Sequence, residues 1–141
     1  MPSAIRVRNE ILDAICSHAQ HDTTRECCGL LAGSGGIITR AFPAANAAKN
    51  PATAYEIAPQ ELFRLMHEIR AARLELLGIY HSHPKGENEP SPTDIARAFY
   101  PDAAYFIISP RAVSMSGGAA QPVRAFSIRD GRATELKMEV L

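Results

Sequence analysis

Two histidines one residue apart, His81 and His83, are followed after seven residues by Ser91 and then by Asp94. Imidazole and carboxylate side chains bind divalent metals, and alternate positions on a strand share a face. If residues 76–83 are extended, Leu77, Ile79, His81 and His83 point the same way. Side chains two apart on a strand lie roughly 7 Å from each other, so both rings can converge on one ion. The loop at 84–90 reaches at most about 25 Å when extended, ample for folding back to that ion. Ser91-Pro92 suits a helix start, with serine as N-cap and proline in the first turn, so Asp94 projects from that turn as a third ligand.

Two imidazoles and one carboxylate leave positions for water or substrate. Zinc in such a set lowers the pKa of bound water and polarises a carbonyl. Iron(II) uses the same ligand types in oxygenases, and these residues leave both metals open. A plainer reading of each part also stands: an ordinary pair of histidines, and a helix cap with Asp94 near the positive end of the helix dipole. The joint arrangement favours a site.

The elements that must position these residues follow from periodicity. Residues 5–7 read as a short strand and 8–19 as a helix, with Ile11, Ala14, Ile15 and His18 at helical spacing. The apolar run 27–32 suits a buried strand, paired with 37–42 across Gly33-Ser34-Gly35-Gly36. An Ala-, Asn- and Pro-rich loop at 43–53 precedes a strand at 55–57. Pro59 opens a helix running to Arg73, with Leu62, Leu65, Met66 and Ile69 inward. Residues 84–90 read as an exposed loop, and the helix from Ser91 ends near Pro101. Further on, 104–109 is a buried strand, 111–121 a small, polar, mobile loop, and 123–128 with 134–140 a hairpin about Asp130-Gly131. Strands mixed with three helices imply an α/β or α+β fold in a single domain, residues 1–141.

Composition narrows the class. Fifteen Lys and Arg balance fifteen Asp and Glu, so no electrostatic footprint for nucleic acid or an anionic membrane is expected. The start, MPSAIRVRNE, lacks the apolar core of a signal peptide, and no run is long enough to span a bilayer. Cys16, Cys27 and Cys28 form no C-x-x-C pair and fit a reducing, cytoplasmic setting. Cys27 and Cys28 lie in an apolar strand and read as core packing, not as nucleophiles. His18 and His21 near a helix end, and His67 on an amphipathic helix, stay outside the site.

The pattern His-x-His, seven residues, Ser, two residues, Asp resembles the JAMM signature of the Mov34/MPN/PAD-1 metallopeptidases. Glu26, directly before Cys27-Cys28-Gly29-Leu30-Leu31, matches the separate glutamate of that family, and the order of elements agrees along nearly the whole chain. The fold implied is cytidine-deaminase-like, a mixed curved sheet packed with helices. The resemblance implies one zinc ion per chain on His81, His83 and Asp94, with Glu26 as general base and Ser91 as oxyanion donor. Zinc deaminase chemistry itself is a poor fit, because the His-x-Glu and Pro-Cys-x-x-Cys pieces are missing. Residues 81–94 also resemble a bacterial domain associated with DNA repair, against which the neutral charge stands.

The small size resembles compact prokaryotic members that process ubiquitin-like sulfur-carrier proteins. That resemblance implies a partner whose tail ends in diglycine, cleaved after the second glycine. Alternatives of the same descent are a deconjugating isopeptidase for ubiquitin-like conjugates and a non-catalytic MPN-type scaffold. The oligomeric state stays open, a homodimer included.

Overall fold

The computed structural model describes residues 4–110 and 122–141, so the loop expected at 111–121 lies outside the described residues. In chain order the elements are β1 (Ala4–Val7), α1 (Asn9–His21), β2 (Cys28–Ser34), β3 (Ile37–Ala44), α2 (Pro59–Ala71), β4 (Glu75–Ser82), α3 (Pro92–Ala96), β5 (Ala104–Ile108), β6 (Val123–Arg129) and β7 (Arg132–Val140). Strand neighbours run β1-β3-β2-β4-β5-β6-β7, and β7 pairs back with β1 to close a ring. β1 lies parallel to β3 and β7, and β4 lies parallel to β5. The other pairs are antiparallel, giving the mixed α/β sheet expected from the sequence.

Two tight hairpins set the registers. Gly35 and Gly36 take φ of 63° and 75° between β2 and β3, and Asp130 and Gly131 take 51° and 74° between β6 and β7. Positive φ at both central residues is the type I′ turn, whose twist matches that of paired strands.

The central strands are covered on both faces. α1 lays Ile11, Ile15 and Ala19 against Leu31, Tyr80 and Phe106. On the opposite face, α2 lays Leu65 and Ile69 against Leu30, Ile79 and Ile107. β2 and β5 therefore read as continuous apolar runs rather than alternating ones. Full burial of each such side chain contributes about 1.5–3 kcal/mol. The buried row of α1 runs i, i+4, i+8, which leaves Ala14, expected in the stripe, exposed.

Three other expectations change. Leu31 pairs with Gly78 while Ala32 pairs with Leu76, so Leu77 is the extra residue of a β-bulge. The bulge shifts the alternation: Leu77 packs on the α1 side, and Ile79 on the α2 side. Residues 55–57 join no sheet, and the main-chain hydrogen bonds of Glu56 go to the loop before it. The N–H of Glu56 reaches Asn46 Oδ1 at 3.2 Å, and its carbonyl accepts from the N–H of Ala47 at 2.7 Å. The helix after Ser91 ends at Ala96, well short of Pro101, and the N–H of Tyr100 goes to the Tyr105 hydroxyl at 3.1 Å.

β1 pairs with β3 only at Ile37 and Ile38, so residues 39–44 of β3 keep an outer edge that no other described strand covers. Among the described residues no helix is long and apolar enough to cross a membrane.

Candidate active site

β4 ends at Ser82, so His81 sits in the strand and His83 one residue beyond its end. The Nε2 atoms of the two histidines are 3.1 Å apart, and each lies 3.1 Å from Asp94 Oδ2. Three donor atoms thus mark a triangle with equal sides. Ligands on a tetrahedral zinc at about 2.0–2.1 Å sit about 3.3 Å from one another, close to this spacing. A carboxylate oxygen of Glu26 and a ring nitrogen of each histidine also lie within 4.8 Å of one another. Glu26 is 5% exposed, and its Oε1 has no hydrogen-bond partner. An orphaned carboxylate oxygen beside a triangle of donors is what a metal with a water beside it would satisfy, so the set fits zinc.

Each side chain is held by its own element. His83 Nδ1 donates to the Glu87 carbonyl at 2.6 Å, which leaves the Nε2 lone pair facing the cluster. His81 stacks on the Tyr55 ring at 4.4 Å and 22°, while its Nδ1 is buried without a partner. Ser82, between the two histidines, is fully buried and accepts the Cys27 N–H at 2.8 Å, tying the residue after Glu26 to β4. The loop expected to be exposed at 84–90 is instead partly buried and pinned. Ser109 Oγ donates to the Gly86 carbonyl at 2.7 Å, Arg124 reaches Glu89 at 3.4 Å, and Pro84 and Asn88 are buried.

Ser91 and Asp94 form a capping box at the start of α3. Ser91 Oγ accepts the Asp94 N–H at 3.0 Å, and Asp94 Oδ2 accepts the Ser91 N–H at 2.9 Å. The helix-cap reading and the site reading therefore hold together, on the same atoms.

Electrostatics separates the carboxylates. Burial pushes the Glu26 carboxyl up to about 7, with the Asp94 charge adding to the rise and His83 opposing it. Burial also acts to raise Asp94, but hydrogen bonds from His81 and His83 outweigh it and hold that carboxyl well below the usual range. Burial lowers His81, and the hydrogen bond to Asp94 only partly offsets it. For His83 burial acts downward too, but Asp94 and the Glu87 carbonyl carry the net change upward. One buried acid raised to about 7 beside one kept ionised is the pattern of an acid–base site.

The remaining candidates stay outside, as expected. Burial raises both thiols, Cys28 to about 12, so neither is a ready nucleophile. His18 Nδ1 bonds the Tyr80 hydroxyl at 2.7 Å, and His67 is exposed. A cavity of about 350 Å³ opens beside Asp94, walled by Tyr55, Ile57, Leu62, Ile79 and Tyr100. Phe99, 75% exposed, stands at it. Sequence reasoning missed Tyr55 as the stacking partner of His81, and it missed Asn46. The readable signal for Asn46 was an Asx-turn in the polar loop, its Oδ1 taking the Ala48 N–H two residues on at 2.9 Å.

Residues 8–128 match the family of prokaryotic homologs of the JAB domain, and the chain belongs to that family. It is a hydrolase of the JAMM type. It is 38% identical over 114 residues to the desampylase of Haloferax volcanii, covering 77% of this chain and 82% of that one. It is 33% identical over 137 residues to the CysO-cysteine peptidase of Mycobacterium tuberculosis, covering 96% of this chain and 90% of that one. The crystal structure of AF2198, a JAB1/MPN domain protein from Archaeoglobus fulgidus, aligns with a TM-score of 0.63 at 15% identity over 99% of this chain and 98% of that one, which shows the shared fold.

Proposed function

We propose that this protein is a zinc-dependent isopeptidase that cleaves after the C-terminal diglycine of a ubiquitin-like sulfur-carrier protein, releasing what is attached to it. One observation carries the reading: three donor atoms 3.1 Å apart with a buried, partnerless carboxylate next to them. The relatives named for acting on CysO-cysteine and as a desampylase support the substrate class.

In this reading His81, His83 and Asp94 hold one zinc ion, which when bound supplies Lewis acidity for activating water and polarising the scissile carbonyl. The chain's residues do the rest. Glu26, buried and with its pKa raised to about 7, takes a proton from the attacking water at its carboxylate and passes it to the leaving amine. Ser91 uses its oxygen to accept the Asp94 N–H, which leaves its hydroxyl proton free to donate to the oxyanion. The cavity beside Asp94 offers apolar walls for the extended tail. Glycines before the scissile bond suit a backbone that must pass close to a metal.

The test is metal content and mass change. Purified protein is expected to hold about one zinc per chain and to shorten a carrier bearing Gly-Gly followed by a short extension. Zinc-loaded protein that leaves a panel of such carriers intact, as cysteine adducts and as lysine isopeptides alike, would sink the peptidase reading and leave the scaffold reading. Glu26→Ala is expected to keep the metal and lose turnover. Asp94→Ala is expected to weaken zinc binding, and unchanged affinity there would reduce Asp94 to a helix cap.

A further inference from the structure

Glu26 lies just outside β2, so its main chain is not held by the ladder that fixes Cys28 onward. Both of its main-chain groups are instead taken by the segment between β3 and α2. Its N–H donates to the Pro51 carbonyl at 2.7 Å, and its carbonyl accepts from Asn46 Nδ2 at 2.9 Å. The same Nδ2 reaches the carbonyls of Ala54 at 2.9 Å and Pro51 at 3.4 Å. Asn46 Oδ1 accepts the N–H groups of Ala48 at 2.9 Å and Glu56 at 3.2 Å. One half-buried amide thus uses two N–H groups and one oxygen on five backbone groups from Glu26 to Glu56, the 3.4 Å contact to Pro51 sharing a proton with a shorter bond. Between two of those groups stands Tyr55, whose ring stacks on His81 at 4.4 Å. One side chain, Asn46, therefore holds both the backbone of the proposed base and the backbone on either side of the ring that stacks on a proposed metal ligand.

We infer that Asn46 is a positioning residue, which locks the Glu26 backbone and the Tyr55 wall into one geometry around the His81, His83 and Asp94 cluster. The inference rests on the reading of Glu26 as general base. Neither a carboxylate nor an aliphatic side chain fits the position, because the group there must donate to carbonyls and accept from N–H groups at once. A polar hub of this kind specifies position more than it stabilises, because each of its bonds replaces one to water.

Two variants separate its halves. Asn46→Asp keeps an oxygen for Ala48 and Glu56 but loses the three donations, while Asn46→Ala loses both. In metal-free protein both variants are expected to speed amide hydrogen exchange at Glu26 at least ten-fold and to weaken the nuclear Overhauser contacts between the Tyr55 and His81 rings. In zinc-loaded protein, with metal content checked, kcat on the Gly-Gly-extended carrier is expected to fall at least ten-fold with KM within two-fold of wild type. A merely structural role would lower the melting temperature and leave kcat of the folded, zinc-loaded protein unchanged, and that result overturns the inference. So does unchanged exchange at Glu26. Should Asn46→Ala fail to fold, Asn46→Asp carries the comparison. If wild-type protein cleaves nothing, the proposed function falls while the exchange and ring-contact measurements still decide whether Asn46 holds Glu26 and Tyr55.

Discussion

Glu26 carries a conflict between stability and chemistry that can be measured. Its carboxyl rises from an ordinary 4.5 to about 7 through burial, so between those values the folded protein binds a proton that the unfolded chain has released. Stability from this group is therefore full below about pH 4.5 and is lost as pH climbs through about 7, a difference worth about 3 kcal/mol. Glu26→Gln is expected to stabilise metal-free protein by up to about 3 kcal/mol at pH 8, with no gain at pH 4.5. Urea unfolding at the two pH values checks it. Equal stability of variant and wild type at pH 8 would mean that the carboxyl is not held from water. The same residue was legible in the sequence only through family resemblance, since nothing local distinguishes it from Glu56 or Glu61. Its special character comes from the packing around it, which no spacing encodes.

The short helix α3 shows how an element and a site share atoms. Ser91→Ala removes the cap oxygen from the Asp94 N–H, which is expected to cost about 1 kcal/mol in thermal or urea unfolding. It also removes the proposed oxyanion donor, so turnover is expected to fall further than stability explains, measured as kcat on folded, zinc-loaded protein. Start signals for this helix were plain in Ser91-Pro92, whereas its end was not: the pattern ran on toward Pro101 while the chain turned away at Arg97. Strand order along the chain was also legible, because apolar runs and Gly or Asp-Gly turns mark it. The phase within β4 was not. Alternation assigned Leu77 to the histidine face, and the bulge opposite Leu31 and Ala32 moved it to the other. A bulge has no fixed residue signature, so only the partner strand reveals it. The segment 55–57 had the composition of a strand, but the Glu56 N–H goes to Asn46 and its carbonyl accepts from Ala47.

Across the molecule, metal and fold are expected to be linked. A ligand that binds only the folded protein adds about 2.7 kcal/mol when present at 100 times its dissociation constant. Zinc is thus expected to raise the melting temperature of wild type and to leave that of Asp94→Ala nearly unmoved, as scanning calorimetry would read. An equal rise in both would place the metal elsewhere. Ile15, with no exposure, anchors α1 beneath the opposite face of the sheet from α2. Ile15→Ala is expected to cost about 2–5 kcal/mol in unfolding while leaving zinc stoichiometry unchanged.

The ring closed by β1 and β7 has a bearing on colloidal behaviour. Closure hides most strand edges, and edges are where one chain recruits another into a growing sheet. The outer side of residues 39–44 stays open, and its exposed residues are Arg40 and Pro43. A cation repels its own copy, and a proline has no N–H to lend an incoming strand. That stretch of β3 is thus guarded against pairing with a second strand by two side chains that take no part in the proposed chemistry.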